Sequence, residues 1–126
     1  MAYVGIYGWM SDPAIQFYIL EDWVNEPGGS PPTAYFGAPQ GTLAVDGGTY
    51  TIYQTSIGES IPPTQQYASI RTERRQCGHI SISEHFSEWV SLELELGQLS
   101  GLMLYVEGFS HGSGNIEFTT ATVTVE

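Results

Sequence analysis

The sequence predicts an all-β fold, a two-sheet antiparallel β-sandwich that carries one short α-helix. Fifteen glycines and seven prolines interrupt short runs rich in β-branched and aromatic residues, a pattern typical of strands joined by turns. The 126 residues suit one domain with its own core and are too few for two. We therefore expect residues 1–126 to form a single domain.

The strands are predicted in chain order from side-chain alternation and turn signals. The first two, residues 3–9 and 14–23, are separated by the turn sequence Ser11-Asp12-Pro13. Residues 42–45 and 49–55 flank Asp46-Gly47-Gly48, a hairpin signal because glycine tolerates positive φ. Along the second strand, alternation places Gln16 on one face and Glu21 on the other. The remaining predicted strands are 65–71, 101–109 and 116–125.

One segment predicts a helix. Ser81 and Glu84 have the spacing of a capping box, in which side chains satisfy the first free amides. The leucines and glutamates of residues 92–96 alternate as in a strand, which predicts that the helix ends near there. The stripe expected to be buried consists of Ile82, Phe86, Trp89 and Val90, whereas His85 is expected on the helix surface.

Charge and hydropathy exclude two classes of partner. The chain has 14 acidic residues and a formal net charge of -11, and its basic residues are three arginines, with no lysine. A nucleic-acid partner is not expected, because binding it requires cationic side chains that neutralise phosphates. Membrane insertion is not expected either, because no apolar stretch approaches the roughly 20 residues that span a bilayer.

Metal and cofactor sites are not predicted. Cys77 is the only cysteine, so it forms no internal disulfide and no cysteine-based zinc site. The three histidines, His79, His85 and His111, are too scattered to indicate a metal centre. We therefore expect neither a metal nor a cofactor.

Five segments carry motifs that occur together in one known family. In chain order they are Tyr7-Gly8-Trp9-x-x-Asp12-Pro13-x-Ile15-Gln16-Phe17-Tyr18-Ile19, Gly47-Gly48-Thr49-Tyr50-Thr51-Ile52-Tyr53, Gln66-Tyr67-Ala68-Ser69-Ile70-Arg71, His85-Phe86-x-x-Trp89 and Tyr105-Val106-Glu107-Gly108-Phe109-x-x-x-Gly112-Ser113-Gly114. In this order the segments resemble glycoside hydrolase family 11. The resemblance extends over nearly the whole chain. It implies a β-jelly roll whose concave cleft binds xylan, as in endo-β-1,4-xylanases.

The resemblance also implies site residues. A retaining glycosidase uses two carboxyl groups about 5 Å apart, one as nucleophile and one as acid/base. Glu107 stands at the acid/base position, whereas Gln16 occupies the nucleophile position, and an amide oxygen is a far poorer nucleophile than a carboxylate. Glu21 cannot substitute, because it is expected on the opposite face. The residues expected to contact substrate are Tyr7, Trp9, Tyr18, Tyr53, Gln66 and Tyr67.

Other features depart from the family pattern. The thumb hairpin is shorter and lacks its proline, and an arginine at its base has no counterpart. The family's N-terminal strands are missing before the first predicted strand, from Tyr3 to Trp9. That strand is therefore expected at an open edge of the sheet, where it would pair with a second copy or a partner protein.

Three hypotheses of function follow. The first is a xylanase-like pseudoenzyme, a non-catalytic module that binds xylan or another β-1,4-glycan, or a protein. The second is a retaining endo-1,4-β-xylanase represented by an inactivated Glu-to-Gln variant at position 16. The third is a self-assembling structural protein that pairs through the open edge. An extracellular location, as a secreted protein, is expected from the resemblance.

Overall fold

The described part of the chain is a sheet of six strands with one helix. The computed structural model describes residues 2–24, 36–75 and 78–108, and for residues 2, 24 and 105–108 it describes the backbone alone. The elements are β1 (Ala2–Ser11), β2 (Ile15–Val24), β3 (Ala38–Val45), β4 (Gly48–Ile57), β5 (Thr64–Arg71), α1 (Ile82–Ser91) and β6 (Gln98–Gly108).

All six described strands belong to one sheet in the order β3-β4-β5-β2-β1-β6. Neighbouring strands are antiparallel, except that β2 and β5 run parallel. The prediction of an all-β fold with one short helix is confirmed. The strand predicted at residues 116–125 lies outside the described residues.

The expectation of an open edge at Tyr3–Trp9 is wrong. Strand β1 pairs with β2 on one side and with β6 on the other, along nearly its whole length. Because both rows of its backbone groups are engaged within the chain, β1 offers no edge to a second copy. Within the described residues, the outer strands of the sheet are β3 and β6.

Buried side chains lie on both faces of the sheet and form two separate clusters. The face covered by α1, here called the helix face, includes Phe17, Ile19 and Trp89 in one cluster. The opposite face carries a second cluster, whose buried members are Tyr3, Leu20, Trp23, Phe36, Ala68 and Ile70. This division confirms the alternation predicted along β2 from Phe17 to Leu20, and it places a buried cluster on each face of the sheet.

Helix α1 begins where the sequence predicts, but its first turn is held differently. Ser81 is the N-cap residue and its side chain makes no cap hydrogen bond. Instead, the Ser81 amide and hydroxyl donate to the two carboxylate oxygens of Asp46, at 2.6 and 2.8 Å. The carboxylate in the β3–β4 turn therefore anchors the start of the helix.

The buried stripe of α1 differs from the prediction at two positions. His85 is fully buried, so its expected place on the helix surface is wrong. Val90, expected in the stripe, is 56% exposed. Positions 82, 85, 86 and 89 follow the i, i+3, i+4, i+7 spacing of one helix face, which a polar side chain at position 85 conceals in the sequence.

Candidate functional site

The sheet face opposite α1 is here called the aromatic face. The strand register brings predicted site residues together on this face in two rows, each formed by paired residues of neighbouring strands. In the first row, Tyr7 pairs with Tyr18, which lies beside Ala68, and Ala68 pairs with Tyr53. In the second row, Trp9 pairs with Gln16. The second row continues from Gln16 to Gln66 and Thr55.

A chain of ring contacts runs along this face. The Tyr7 ring centroid lies 5.8 Å from that of Trp9 and 5.0 Å from that of Tyr18. Phe36 continues the chain, at 5.4 Å from Tyr18 and 6.0 Å from Tyr3. Tilted and edge-on rings at these separations stabilise one another beyond their burial. Tyr3 and Phe36 are buried at one end of this chain, whereas Tyr7, Trp9 and Tyr18 are accessible in whole or in part.

Trp9 is the most accessible tryptophan on the described chain. Its side chain is 38% exposed, whereas Trp23 and Trp89 are 1% and 0% exposed. The flat faces of aromatic rings complement the apolar faces of pyranose sugars, and Trp9 presents such a ring beside Gln16. This arrangement suits the binding of a sugar.

The second row presents amides on adjacent strands. Gln16 and Gln66 are both partly buried, and an amide both donates and accepts hydrogen bonds. Such groups bind sugar hydroxyls without requiring a charged partner. They do not supply the negative charge that stabilises an oxocarbenium-like transition state.

Glu21 lies on the helix face, as predicted, and it is already engaged. Its carboxylate pairs with Arg75 at 2.6 Å and accepts a hydrogen bond from the Tyr50 hydroxyl. Burial and this hydrogen bond raise the pKa of Tyr50 above its ordinary value. Glu21 is therefore part of a structural polar network and is separated from Gln16 by the sheet.

The backbone of Glu107 lies far along the sheet from position 16. Glu107 pairs with Tyr3, whereas Gln16 pairs with Trp9, six residues further along β1. At about 3.4 Å per residue, the two rows are about 20 Å apart along the strand. In this structure, therefore, the backbone does not bring the two expected catalytic positions into one row.

Tyr67, expected to contact substrate, lies on the helix face. It is 2% exposed, its ring centroid is 5.7 Å from that of Trp89, and its hydroxyl donates to the Glu95 carbonyl at 2.6 Å. Adjacent strand residues point to opposite faces, so Gln66 and Tyr67 cannot share one. We therefore do not include Tyr67 in the aromatic face.

Three aromatic residues of this face were not among the predicted site residues. Tyr3, Trp23 and Phe36 belong to the same buried cluster. The position of Trp23 depends on an irregularity in β2: Val4 pairs with Asp22 and Gly5 with Leu20, which leaves Glu21 as the extra residue. Such a bulge shifts the alternation by one, and simple alternation from Gln16 would place Trp23 on the other face.

No metal centre is found in the part of the chain that the structure describes. No three His, Cys, Asp or Glu side chains are grouped there so that they could hold an ion. Cys77 and His111 lie outside the described residues. Within those residues, no helix is long and apolar enough to cross a bilayer.

Together, the fold and this surface define a β-sheet protein with an aromatic, amide-lined face suited to carbohydrate. Comparison with known proteins shows the family: the model of the glycosyl hydrolases family 11 matches residues 1–119. The chain belongs to this family.

Similar proteins are xylanases. The chain is 44% identical to endo-1,4-β-xylanase S20 of Neocallimastix patriciarum, over 98% of this chain and 38% of that protein. It is 38% identical to endo-1,4-β-xylanase 1 of Hypocrea jecorina, over 89% of this chain and 48% of that protein. The chain thus spans less than half the length of these two relatives.

Solved xylanase structures share the fold. An endo-1,4-β-xylanase from Trichoderma reesei superimposes with a TM-score of 0.71 at 34% identity, over 83% of this chain and 58% of that one. The wild-type ENZbleach xylanase gives a TM-score of 0.73 at 33% identity, over 84% and 46%. These similarities identify the xylanase jelly roll as the fold to which the described sheet corresponds.

Proposed function

We propose that this chain is a domain of the retaining endo-1,4-β-xylanase type that binds xylan and has lost its nucleophile. The form of the domain that hydrolyses xylan carries glutamate in place of Gln16. The observation that carries the proposal is the aromatic face, on which Trp9 pairs with Gln16. Family membership and the names of the similar proteins support xylan as substrate. Xylan is a polymer outside cells, so an extracellular location belongs to this proposal.

In the proposed reaction, two carboxyl groups divide the work. Glutamate at position 16 attacks the anomeric carbon, and Glu107, at the acid/base position that the resemblance implies, protonates the leaving oxygen and later activates water. This mechanism requires the two carboxyl groups to lie about 5 Å apart, so in the hydrolytic form β6 must bring Glu107 closer to position 16 than the described backbone register does. The Gln16 form binds the chain of sugars on Tyr7, Trp9, Tyr18, Tyr53 and Gln66. It does not form the covalent intermediate, because an amide oxygen does not provide the required negative charge.

The test is the substitution Gln16→Glu, assayed by release of reducing sugar from xylan. We expect turnover at least about a thousandfold above that of the parent chain, because a nucleophile is being supplied. Products should form with retained anomeric configuration, which proton NMR of fresh hydrolysate detects. Adding Glu107→Gln to the Gln16→Glu variant should abolish the gain.

A matched control is Gln66→Glu. It places a carboxylate in the same row, one strand away from position 16, and we expect it to create no hydrolysis. If the folded Gln16→Glu variant binds xylo-oligosaccharides and still fails to cleave xylan, the hydrolytic proposal is wrong.

A second candidate is a module that binds xylan without hydrolysis. Two observations favour it: the amide at position 16 and the separation between the backbone rows of Gln16 and Glu107. Under this proposal the aromatic face binds xylo-oligosaccharides equally in the parent and Gln16→Glu chains, and neither releases sugar. Titration calorimetry followed by product analysis distinguishes the two candidates.

A further inference from the structure

The indole of Trp9 lies directly against the backbone of Gly101. Trp9 and Gly101 pair across β1 and β6. A Cβ atom built on Gly101 would fall inside the contact distance of three indole atoms, Cζ2, Cε2 and Cη2. The ring could not keep this position if residue 101 carried a side chain.

Two further contacts locate the ring. The Tyr7 ring lies 5.8 Å from that of Trp9, at an interplanar angle of 42°. On the other side of β1, Trp9 pairs with Gln16 on β2. Directly paired residues of an antiparallel ladder have Cβ atoms about 5 Å apart. The indole is therefore held between Tyr7 and the Gly101 backbone, close to position 16.

We propose that Gly101 is a positioning residue for the binding of xylan. Its lack of a side chain allows the Trp9 indole to lie against β6 as a fixed flat surface, and one xylose ring of the bound chain stacks there, next to position 16. This inference rests on the proposed function, because it assumes that the aromatic face binds xylan.

The first experiment examines the protein without ligand. Acrylamide quenching of tryptophan emission reports chiefly on Trp9, since Trp23 and Trp89 are buried. In Gly101→Ala the new Cβ displaces the indole toward solvent, so we expect a larger quenching constant than in the parent chain. An unchanged quenching constant would show that Gly101 does not hold the ring, and would overturn the proposal.

Gly41→Ala is the matched control for adding a methyl group to an outer strand. Its Cβ would come 2.9 Å from Leu92 Cδ2, the end of a flexible side chain on the helix face. We expect this variant to quench and bind as the parent does. Far-UV circular dichroism and thermal unfolding of both variants establish that the fold is kept.

The second experiment measures xylo-oligosaccharide affinity by titration calorimetry. We expect Gly101→Ala to bind about tenfold more weakly than the parent chain, the equivalent of about 1.4 kcal/mol. If Gly101 acts through Trp9 alone, it should cause no further loss in a Trp9→Phe background, where the smaller ring leaves room for the methyl group. That double variant also serves if Gly101→Ala alone does not fold.

The outcomes separate the two proposals. Equal affinity of the parent and Gly101→Ala would overturn the role of Gly101 and leave xylan binding intact. An additional tenfold loss in the Trp9→Phe background would also overturn it, because Gly101 would then act on the ligand without Trp9. If the parent chain binds no xylo-oligosaccharide, the proposed function fails and this inference fails with it.

Discussion

At the scale of single residues, the buried His85 has the most direct consequence for solution behaviour. Its side chain is 0% exposed, and neither ring nitrogen has a hydrogen-bond partner among the described residues. The ring packs edge-on against Tyr50, with centroids 4.6 Å apart. Burial lowers the pKa of His85 to about 4, against the opposing effect of the Asp46 carboxylate.

Stability should therefore fall as the pH decreases from about 6.5 to about 4. In that interval the unfolded chain, with an ordinary histidine pKa near 6.5, binds a proton that the folded chain does not. The shift corresponds to about 3 kcal/mol in full, of which about 2 kcal/mol is lost between pH 7 and pH 5. Urea unfolding at these two pH values measures the loss.

The control for this prediction is His85→Phe, which keeps an aromatic ring and removes the titrating group. Its stability should change between pH 7 and pH 5 by about 2 kcal/mol less than that of the parent. The Asp46 carboxylate, whose pKa is lowered in the folded chain, remains in both proteins, so its contribution cancels in the comparison. An identical pH dependence of the two proteins would contradict the assignment to His85.

At the scale of elements, the N-terminus of α1 depends on the β3–β4 turn. Asp46 receives two hydrogen bonds from Ser81 and its backbone carbonyl accepts one from Arg75 at 3.0 Å. Burial opposes the charge of Asp46, but the hydrogen bonds from Ser81 and the nearby His79 and Arg75 together lower its pKa. The turn thus links the sheet to the helix through one carboxylate.

We expect Ser81→Ala and Asp46→Asn each to destabilise the fold by about 1 kcal/mol. Asparagine is chosen because Asp46 has a φ of 53°, a conformation that asparagine tolerates. Because the two side chains bond each other, the effects should not add, and a double-mutant cycle should give a coupling of at least about 0.5 kcal/mol. Ser83→Ala, at an exposed position of the same helix, should change stability by less than about 0.5 kcal/mol. Full additivity would argue that Ser81 acts as an ordinary N-cap.

At the scale of the whole molecule, β6 closes the side of β1 that would otherwise be an edge. Strands β1 and β6 are distant in sequence, and their pairing extends from Ala2 with Gly108 to Ser11 with Gln98. Strand β3, by contrast, pairs only with β4 within the described residues. The backbone amides of β1 should therefore be better protected from hydrogen exchange than those of β3.

Hydrogen exchange tests this closure. Amides of residues 2–11 should exchange as slowly as those of β2, whereas about half of those in β3 should exchange faster, since alternate N–H groups of an outer strand have no ladder partner. The β1 pattern should not change with protein concentration, because both of its partners belong to the same chain. Protection of β1 that appears only at high concentration would indicate pairing between chains instead.

The sequence by itself determined the features that depend on neighbouring residues. Alternation identified β1, β2, β4 and β5, Asp46-Gly47-Gly48 predicted the hairpin, and Ser81 marked the start of α1. Gln16 and Glu21 were placed on opposite faces correctly, and the resemblance in motifs identified the family. The strands, the hairpin, the helix start and the two faces of β2 follow from periodicity or turn chemistry over a few residues, whereas the family was implied by the resemblance. The same rule, applied to Gln66 and Tyr67, would have removed Tyr67 from the predicted binding surface.

Only the tertiary structure decided which distant segments meet. In the structure β6 pairs with β1, and the buried His85 packs against Tyr50. The Ser81 hydroxyl donates to Asp46, and the Trp9 indole lies against Gly101. The extra residue at Glu21 also brought Trp23 to the aromatic face. Strand partners and bulges depend on the apolar surface that the whole sheet buries. A pattern over a few neighbouring residues does not include the contributions of distant strands.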